Sequence, residues 1–297
     1  MSMLYALPGN AAFARAVRRH AGWQRGELEL HRFPDGESRV RLVTPPHGAV
    51  ALACSLHRPD AKLFPLLAAA ATARELGATQ VGLLAPYLAY MRQDQRFRPG
   101  EAVSARVIGG LLGGVFDWVV TVDPHLHRIR DLADVFACRT VVVRTAPDLA
   151  AWIGANVRVP LLVGPDGESA QWVQAVADRL DAPCVVARKQ RHGDRAVSVR
   201  LPSLARWRGH TPVLLDDIVA SGQTLIDTAR GVREQLVQPA PVAVVVHGLL
   251  RRKSLDALHG AGIARLVTTN TVPGEVAAID VSARVAEALS AIAGQVL

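Results

Sequence analysis

The chain has 297 residues, half of them hydrophobic, a fifth charged and few aromatic, with a formal net charge of +8. That make-up excludes a disordered or fibrous chain, and the longest apolar stretch, Leu63 to Ala71, is too short for the ~20 residues of a membrane helix. The positive charge is dispersed and almost all arginine, with Lys62, Lys189 and Lys253 the only lysines, so neither a nucleic acid nor a membrane is an expected partner.

The N-terminus carries no basic segment followed by a long apolar one, so no signal peptide is expected. Cys54, Cys138 and Cys184 are far apart, odd in number and without metal-ligand spacing, which fits a reducing cytoplasm. Along the chain, short apolar runs alternate with amphipathic segments. Val50 to Cys54 precedes a helix through Ala73; Val81 to Ala85 ends at Pro86; Val119 to Val122 ends at Asp123; Val141 to Val143 follows. The pattern then restarts. Leu161 to Gly164 leads through Pro165-Asp166 into a helix over Ala170 to Leu180, and Val185 to Ala187, Val213 to Leu215 and Val242 to Val246 complete the set.

Continuous apolar strands separated by helices predict parallel sheets covered on both faces. There are too many for one sheet. The reading is an α/β protein of two tandem doubly wound parallel-sheet domains, residues 1–145 and 146–297, with a boundary near Thr145-Ala146-Pro147. The last helix, Val281 to Ala293, can pack on either domain.

The main chemical feature is Asp216-Asp217-Ile218-Val219-Ala220-Ser221-Gly222-Gln223-Thr224, placed after the strand Val213 to Leu215 and before a helix over Leu225 to Gln235. Ligands of open α/β sheets gather at carboxyl ends of strands. A glycine-containing turn entering a helix points N–H groups and hydroxyls at a phosphate. Two adjacent carboxylates can hold the vicinal hydroxyls of a ribose or a bound ion. Taken alone, the pair reads equally well as a helix cap and a solvated carboxylate. A Gly-x-x-x-x-Gly-Lys-Ser/Thr loop is absent from the sequence, which disfavours a P-loop kinase.

The full string resembles the phosphoribosyl-binding motif of phosphoribosyltransferases and of the pyrophosphokinases that make their substrate. Pro86-Tyr87-Leu88-Ala89-Tyr90-Met91-Arg92-Gln93-Asp94-Gln95, followed by Gly100-Glu101-Ala102-Val103-Ser104-Ala105, is similar to the "PYxxYxRQD…GExxSA" stretch of the ribose-phosphate pyrophosphokinase family. Four further segments carry the same resemblance: Arg32-Phe33-Pro34-Asp35-Gly36-Glu37, Asp123-Pro124-His125, Gly164-Pro165-Asp166-Gly167 and Lys189-Gln190-Arg191.

The resemblance implies a phosphoribosyltransferase-like fold in both halves and diphosphoryl transfer from MgATP to ribose 5-phosphate. By it, Arg92 and Gln93 bind ATP, and Phe33, Asp35 and Glu37 reach the adenine of a neighbouring subunit in a homo-oligomer, dimer or hexamer. His125 and Asp166 hold Mg²⁺. Lys189 and Arg191 open a mobile catalytic loop. Asp216, Asp217, Ala220, Ser221, Gly222, Gln223 and Thr224 hold ribose 5-phosphate. Other readings are a non-catalytic regulatory or scaffold homologue and a phosphoribosyltransferase.

The chain departs from the family pattern in places. Ala220 replaces a common acid. Gln223 stands where glycine is frequent, so its side chain is expected to intrude on the phosphate loop. Glu168 adds negative charge after Asp166. The short length and His247-Gly248-Leu249-Leu250 look more like the archaeal type.

Overall fold

The computed structural model describes residues 2–192 and 196–294, leaving aside the side chains of residues 189–192 and 196–199. The chain divides into two compact units. The first comprises Met1–Val143, Thr271–Pro273 and Val281–Leu297; the second comprises Arg144–Asn270 and Gly274–Asp280.

In the first unit the elements run β1 (Met3–Ala6), α1 (Ala11–Ala21), β2 (Gln24–Gly26), β3 (Leu28–Arg32), β4 (Ser38–Leu42), β5 (Ala49–Ala53), α2 (Asp60–Glu75), β6 (Gln80–Ala85), α3 (Ser104–Val115), β7 (Trp118–Val122) and β8 (Arg139–Val143). Six strands form a parallel sheet in the order β2-β1-β5-β6-β7-β8. Every residue of β5 and β7 is buried, which is why these strands read as unbroken apolar runs. Gly82 pairs with Trp118 across β6 and β7, and a Cβ at Gly82 would lie 2.1 Å from the indole. Glycine there lets the large ring lie across the neighbouring strand. β3 and β4 form a separate antiparallel hairpin packed on α2.

In the second unit the elements are α4 (Ala146–Asn156), β9 (Pro160–Gly164), α5 (Ala170–Leu180), β10 (Cys184–Val186), β11 (Arg188–His192), β12 (Ala196–Arg200), β13 (Thr211–Val219), α6 (Gln223–Gln235), β14 (Val242–Gly248), α7 (Arg252–Gly260), β15 (Arg265–Thr269) and β16 (Ala277–Ile279). Its six-stranded parallel sheet has the order β10-β9-β13-β14-β15-β16, and β11 pairs antiparallel with β12. The core beneath β13 includes Leu214, Val219, Leu225, Ala229 and Val245.

The last helix, α8 (Ser282–Gly294), belongs with the first unit. It buries Val285, Ala286, Leu289 and Ile292 and packs on α1, β7 and β8. The two-sheet, parallel architecture expected from the apolar runs is the one observed. In each sheet the first strand lies between the second and third, so strand order reverses beside it. That reversal is the switch point where open α/β sheets bind ligands. No helix among the described residues is long and apolar enough to cross a membrane.

Candidate active site

At the switch point of the second unit, β13 runs through Val219, so Asp216 and Asp217 lie within the strand and not after it. The expected strand end at Leu215 is corrected by pairing on one side. The ladder to β9 stops at Leu214, while β14 continues to pair with Asp216, Ile218 and Val219. The carboxylates therefore stand on a strand extension held from one edge. Burial pushes Asp216 well above the usual carboxylate range, and the charges of Asp217 and then Asp166 push in the same direction. The backbone N–H of Asp217 donates to Asp216 Oδ1 at 3.0 Å, which opposes that shift in part.

Only Ala220, Ser221 and Gly222 separate β13 from α6, so the loop is shorter and the helix begins earlier than expected. Gly222 has φ +83°, the left-handed region, and a Cβ there would sit 3.0 Å from Leu258. Both facts demand glycine. α6 then starts with its first-turn N–H groups directed back at the loop. Ser221 is exposed and its Oγ accepts from Gln223 N at 3.4 Å. Gln223 does not intrude on the loop as expected. Its Nε2 donates to Asp227 Oδ1 at 2.8 Å, one turn along α6, and this i,i+4 bond draws the amide away. Thr224 is half-buried, and its carbonyl accepts from the Thr228 hydroxyl at 2.8 Å.

Asp166, at the end of β9, caps the short turn Gly167–Ser169. Its Oδ1 accepts from Ser169 N at 3.2 Å, and Ser169 Oγ donates back to the Asp166 carbonyl at 2.6 Å. Its influence on Asp216 places it in the same acidic group. Glu168 is exposed. Lys189 and Arg191 stand on β11, opposite Val199 and Val197, and their side chains lie outside the described residues.

In the first unit Arg92 is exposed at a pocket of about 530 Å³, lined also by Tyr87, Tyr90, Gln93, Glu101 and Ser104. Glu101 organises one side: its Oε2 accepts from Phe97 N and Arg98 N at 3.1 Å each and from Gln93 Nε2 at 3.3 Å. The Arg96 Nε closes the turn on the Glu101 carbonyl at 2.7 Å. Asp94 is buried and pairs with Arg128 at 3.1 Å, tying this segment to the chain after β7. Tyr90, at φ +68°, is held by its phenol donating to Asp60 in the first turn of α2. The Asp94–Arg128 and Tyr90–Asp60 ties join residues 34 and 30 positions apart, which is why the sequence carries no local sign of them.

His125 also belongs to the first unit, just beyond β7. Asp123 before it is buried and has φ +29°, an uncommon backbone state that turns the chain sharply at the strand end. The rings of His125 and His127 meet edge to face at 4.0 Å, so His127 shares the setting of His125. Phe33, Asp35 and Glu37 occupy the tip of the β3–β4 hairpin. Phe33 is 39% exposed and stacks edge-on to His31 at 4.7 Å. Asp35 Oδ1 accepts from Glu37 N at 3.0 Å, which fixes the turn. Arg32, the last residue of β3 beside the hairpin tip, donates to the Ala61 carbonyl of α2 at 3.0 Å. Pro65 has no N–H to offer that carbonyl, so it is free for the guanidinium.

Two doubly wound parallel-sheet units, one with an acidic group and a glycine turn at its switch point, define an open α/β protein with a candidate ligand site where such sheets bind ligands. The family model for the N-terminal domain of ribose phosphate pyrophosphokinase matches residues 2–115, and that for the phosphoribosyl transferase domain matches residues 130–270. A ribose-phosphate pyrophosphokinase of Methanopyrus kandleri is 32% identical over 270 residues, 90% of this chain and 91% of the relative. One of Halobacterium salinarum is 31% identical over 290 residues, 97% of this chain and all of the relative. The chain belongs to the ribose-phosphate pyrophosphokinase family. A crystal structure of phosphoribosylpyrophosphate synthetase from Mycobacterium smegmatis shares the fold, with a TM-score of 0.79 at 22% identity over 99% of this chain and 97% of that one.

Proposed function

We propose that the chain is a ribose-phosphate diphosphokinase, moving the β,γ-diphosphoryl group of ATP to the 1-hydroxyl of ribose 5-phosphate and releasing AMP. The observation that carries this reading is the half-buried Asp216 beside Asp217 and Asp166, set next to the Gly222 turn and the start of α6. One end of that arrangement suits a diol, the other a phosphate. Ser221, Gly222 and Thr224 grip the 5-phosphate, with Ala220 and Gln223 completing the loop through backbone groups. Asp216 and Asp217 hold the ribose hydroxyls and so orient the 1-hydroxyl for in-line attack.

In the first unit Arg92 and Gln93 receive the triphosphate side of ATP, where a guanidinium matches phosphate oxygens in a bidentate manner. Lys189 and Arg191 neutralise charge developing on the transferred group, since catalysis here is mainly positioning and electrostatics. Asp166 would supply a carboxylate oxygen of the kind that suits Mg²⁺, and the repulsion among Asp166, Asp216 and Asp217 is what a nearby divalent cation relieves. An imidazole such as His125 is a weaker match. When bound, Mg²⁺ supplies charge neutralisation to the phosphoryl oxygens. The exposed Phe33, with Asp35 and Glu37, suits an adenine of a second subunit, so a cytoplasmic homo-oligomer is part of the proposal.

The non-catalytic alternative loses one of its motives, because the Gln223 amide is drawn to Asp227 and away from the loop. The test is AMP release from ATP with and without ribose 5-phosphate, with phosphorus NMR identifying the second product. Folded protein that yields no sugar-dependent AMP overturns the reading.

A further inference from the structure

Both sheets share one strand order, so the ribose-phosphate position of the second unit has a topological counterpart in the first. β13, its loop and α6 correspond to β5, residues 54–59 and α2: each pair joins the strand beside the switch point to the next helix. Where the second unit carries its glycine turn and the start of α6, the first carries His57, Arg58 and Lys62. Lys62 is also one of three lysines in a chain that otherwise uses arginine.

The floor of this position is made of buried, satisfied polar groups. Asn10 Oδ1 accepts from Ser55 N at 2.7 Å, and Ser55 Oγ donates to the Thr271 carbonyl at 2.6 Å. Above them Lys62 Nζ donates to the Ser55 carbonyl at 2.6 Å and lies 3.2 and 3.3 Å from the two ring nitrogens of His57. His57 Nδ1 is 3.4 Å from Ser55 Oγ. Lys62 and His57 are half-buried, and the ionisable groups acting on them are each other, Arg58 and the Cys54 thiol, with no carboxylate among them. Burial, then Lys62 and Arg58, push His57 down to about 4, and burial pushes Lys62 below the usual lysine range. Half-buried cationic groups are normally matched by a carboxylate. The rim is open: Pro8, Gly9 and Arg58 are exposed, and a Cβ on Gly9 would meet nothing within 4 Å.

We propose that Lys62, His57 and Arg58 form a second phosphate-binding site, in the first unit, for inorganic phosphate or the phosphate ester of a small molecule. A dianion there supplies the missing counter-charge, with Lys62 and Arg58 as donors and His57 recruited as imidazolium. The positional analogy rests on the ribose-phosphate reading of the second unit; the cationic cluster does not.

The experiment follows the His57 ring by NMR in the full chain, assigned with His57→Gln. Inorganic phosphate and ribose 5-phosphate are titrated separately at ionic strength held constant with chloride. The expected result is a saturable shift of the His57 resonance and a rise of its titration midpoint toward the ordinary histidine range. Lys62→Met abolishes the response and Lys62→Arg keeps it, both with sugar-dependent AMP release intact. A response to both phosphates assigns the bare phosphate group as ligand; a response to the sugar phosphate alone assigns an ester. A His57 resonance indifferent to both, or equally moved by chloride, overturns the site. Should AMP release be absent while His57 still answers to phosphate, the proposed activity fails and this site stands.

Discussion

The phenol of Tyr90 donates to the carboxylate of Asp60, so the residue two before Arg92 is fixed by the first turn of α2. This hydrogen bond, with burial and the Asp60 charge adding to it, pushes the phenol up to about 12, so Tyr90 remains a donor at physiological pH. It also restrains a left-handed backbone that a tyrosine seldom adopts. Tyr90→Phe and Asp60→Asn are expected to lose about 1 kcal/mol of positioning, read as a roughly five- to tenfold higher KM for ATP with little change in kcat. Steady-state kinetics on folded variants decide it. A fall in kcat at constant KM contradicts the positioning role.

The bond from Arg32 to the Ala61 carbonyl depends on the missing N–H of Pro65. Pro65→Ala restores a helical donor and is expected to stabilise α2 by on the order of 1–3 kcal/mol, while loosening the hairpin that bears Phe33. Hydrogen exchange across residues 28–42 should rise in Pro65→Ala and in Arg32→Met, with a higher Tm only in the former. Unchanged exchange in both would make the contact incidental.

Asp216 has a raised pKa, so the folded protein keeps a proton that the unfolded chain has already lost above the ordinary carboxylate range. Its contribution to stability is therefore full at low pH and declines as pH rises toward the folded pKa. Asp216→Asn is expected to flatten that decline and melt higher than the parent at neutral pH, while losing ribose 5-phosphate turnover. Thermal melts against pH check the sign. Added Mg²⁺ should offset the decline in the parent and act less in the variant.

Gly222→Ala places a side chain at φ +83° and against Leu258. The backbone part costs about 1–2 kcal/mol and the contact adds to it. Leu258→Ala in the same chain should recover only the steric part, so a double-mutant cycle separates the two. Complete recovery would show that the backbone conformation is not what glycine supplies there.

Much of the fold was legible because strands buried on both faces, such as β5 and β7, read as unbroken apolar runs. The end of β13 was not. Its apolar run stops at Leu215, yet β14 goes on pairing with it to Val219, and one-sided pairing leaves no mark in hydrophobicity. Gln223 turns from the loop for a different reason: Asp227, four residues on, takes its amide, a pairing set by helix geometry. The α8 helix was evident, but its choice of the first unit rests on the shape of the surface formed by α1, β7 and β8.

By itself, the sequence determined that two parallel sheets form and that Asp216 to Thr224 lie toward the carboxyl end of a strand in one of them, since periodicity and turn residues are local properties. Only the tertiary structure decided that Asp216 is the carboxylate pushed above the usual range, that Tyr90 is latched to Asp60, and that His57 and Lys62 meet without an acid between them. Those outcomes depend on burial and on charges brought close through space, and neither is a function of position along the chain.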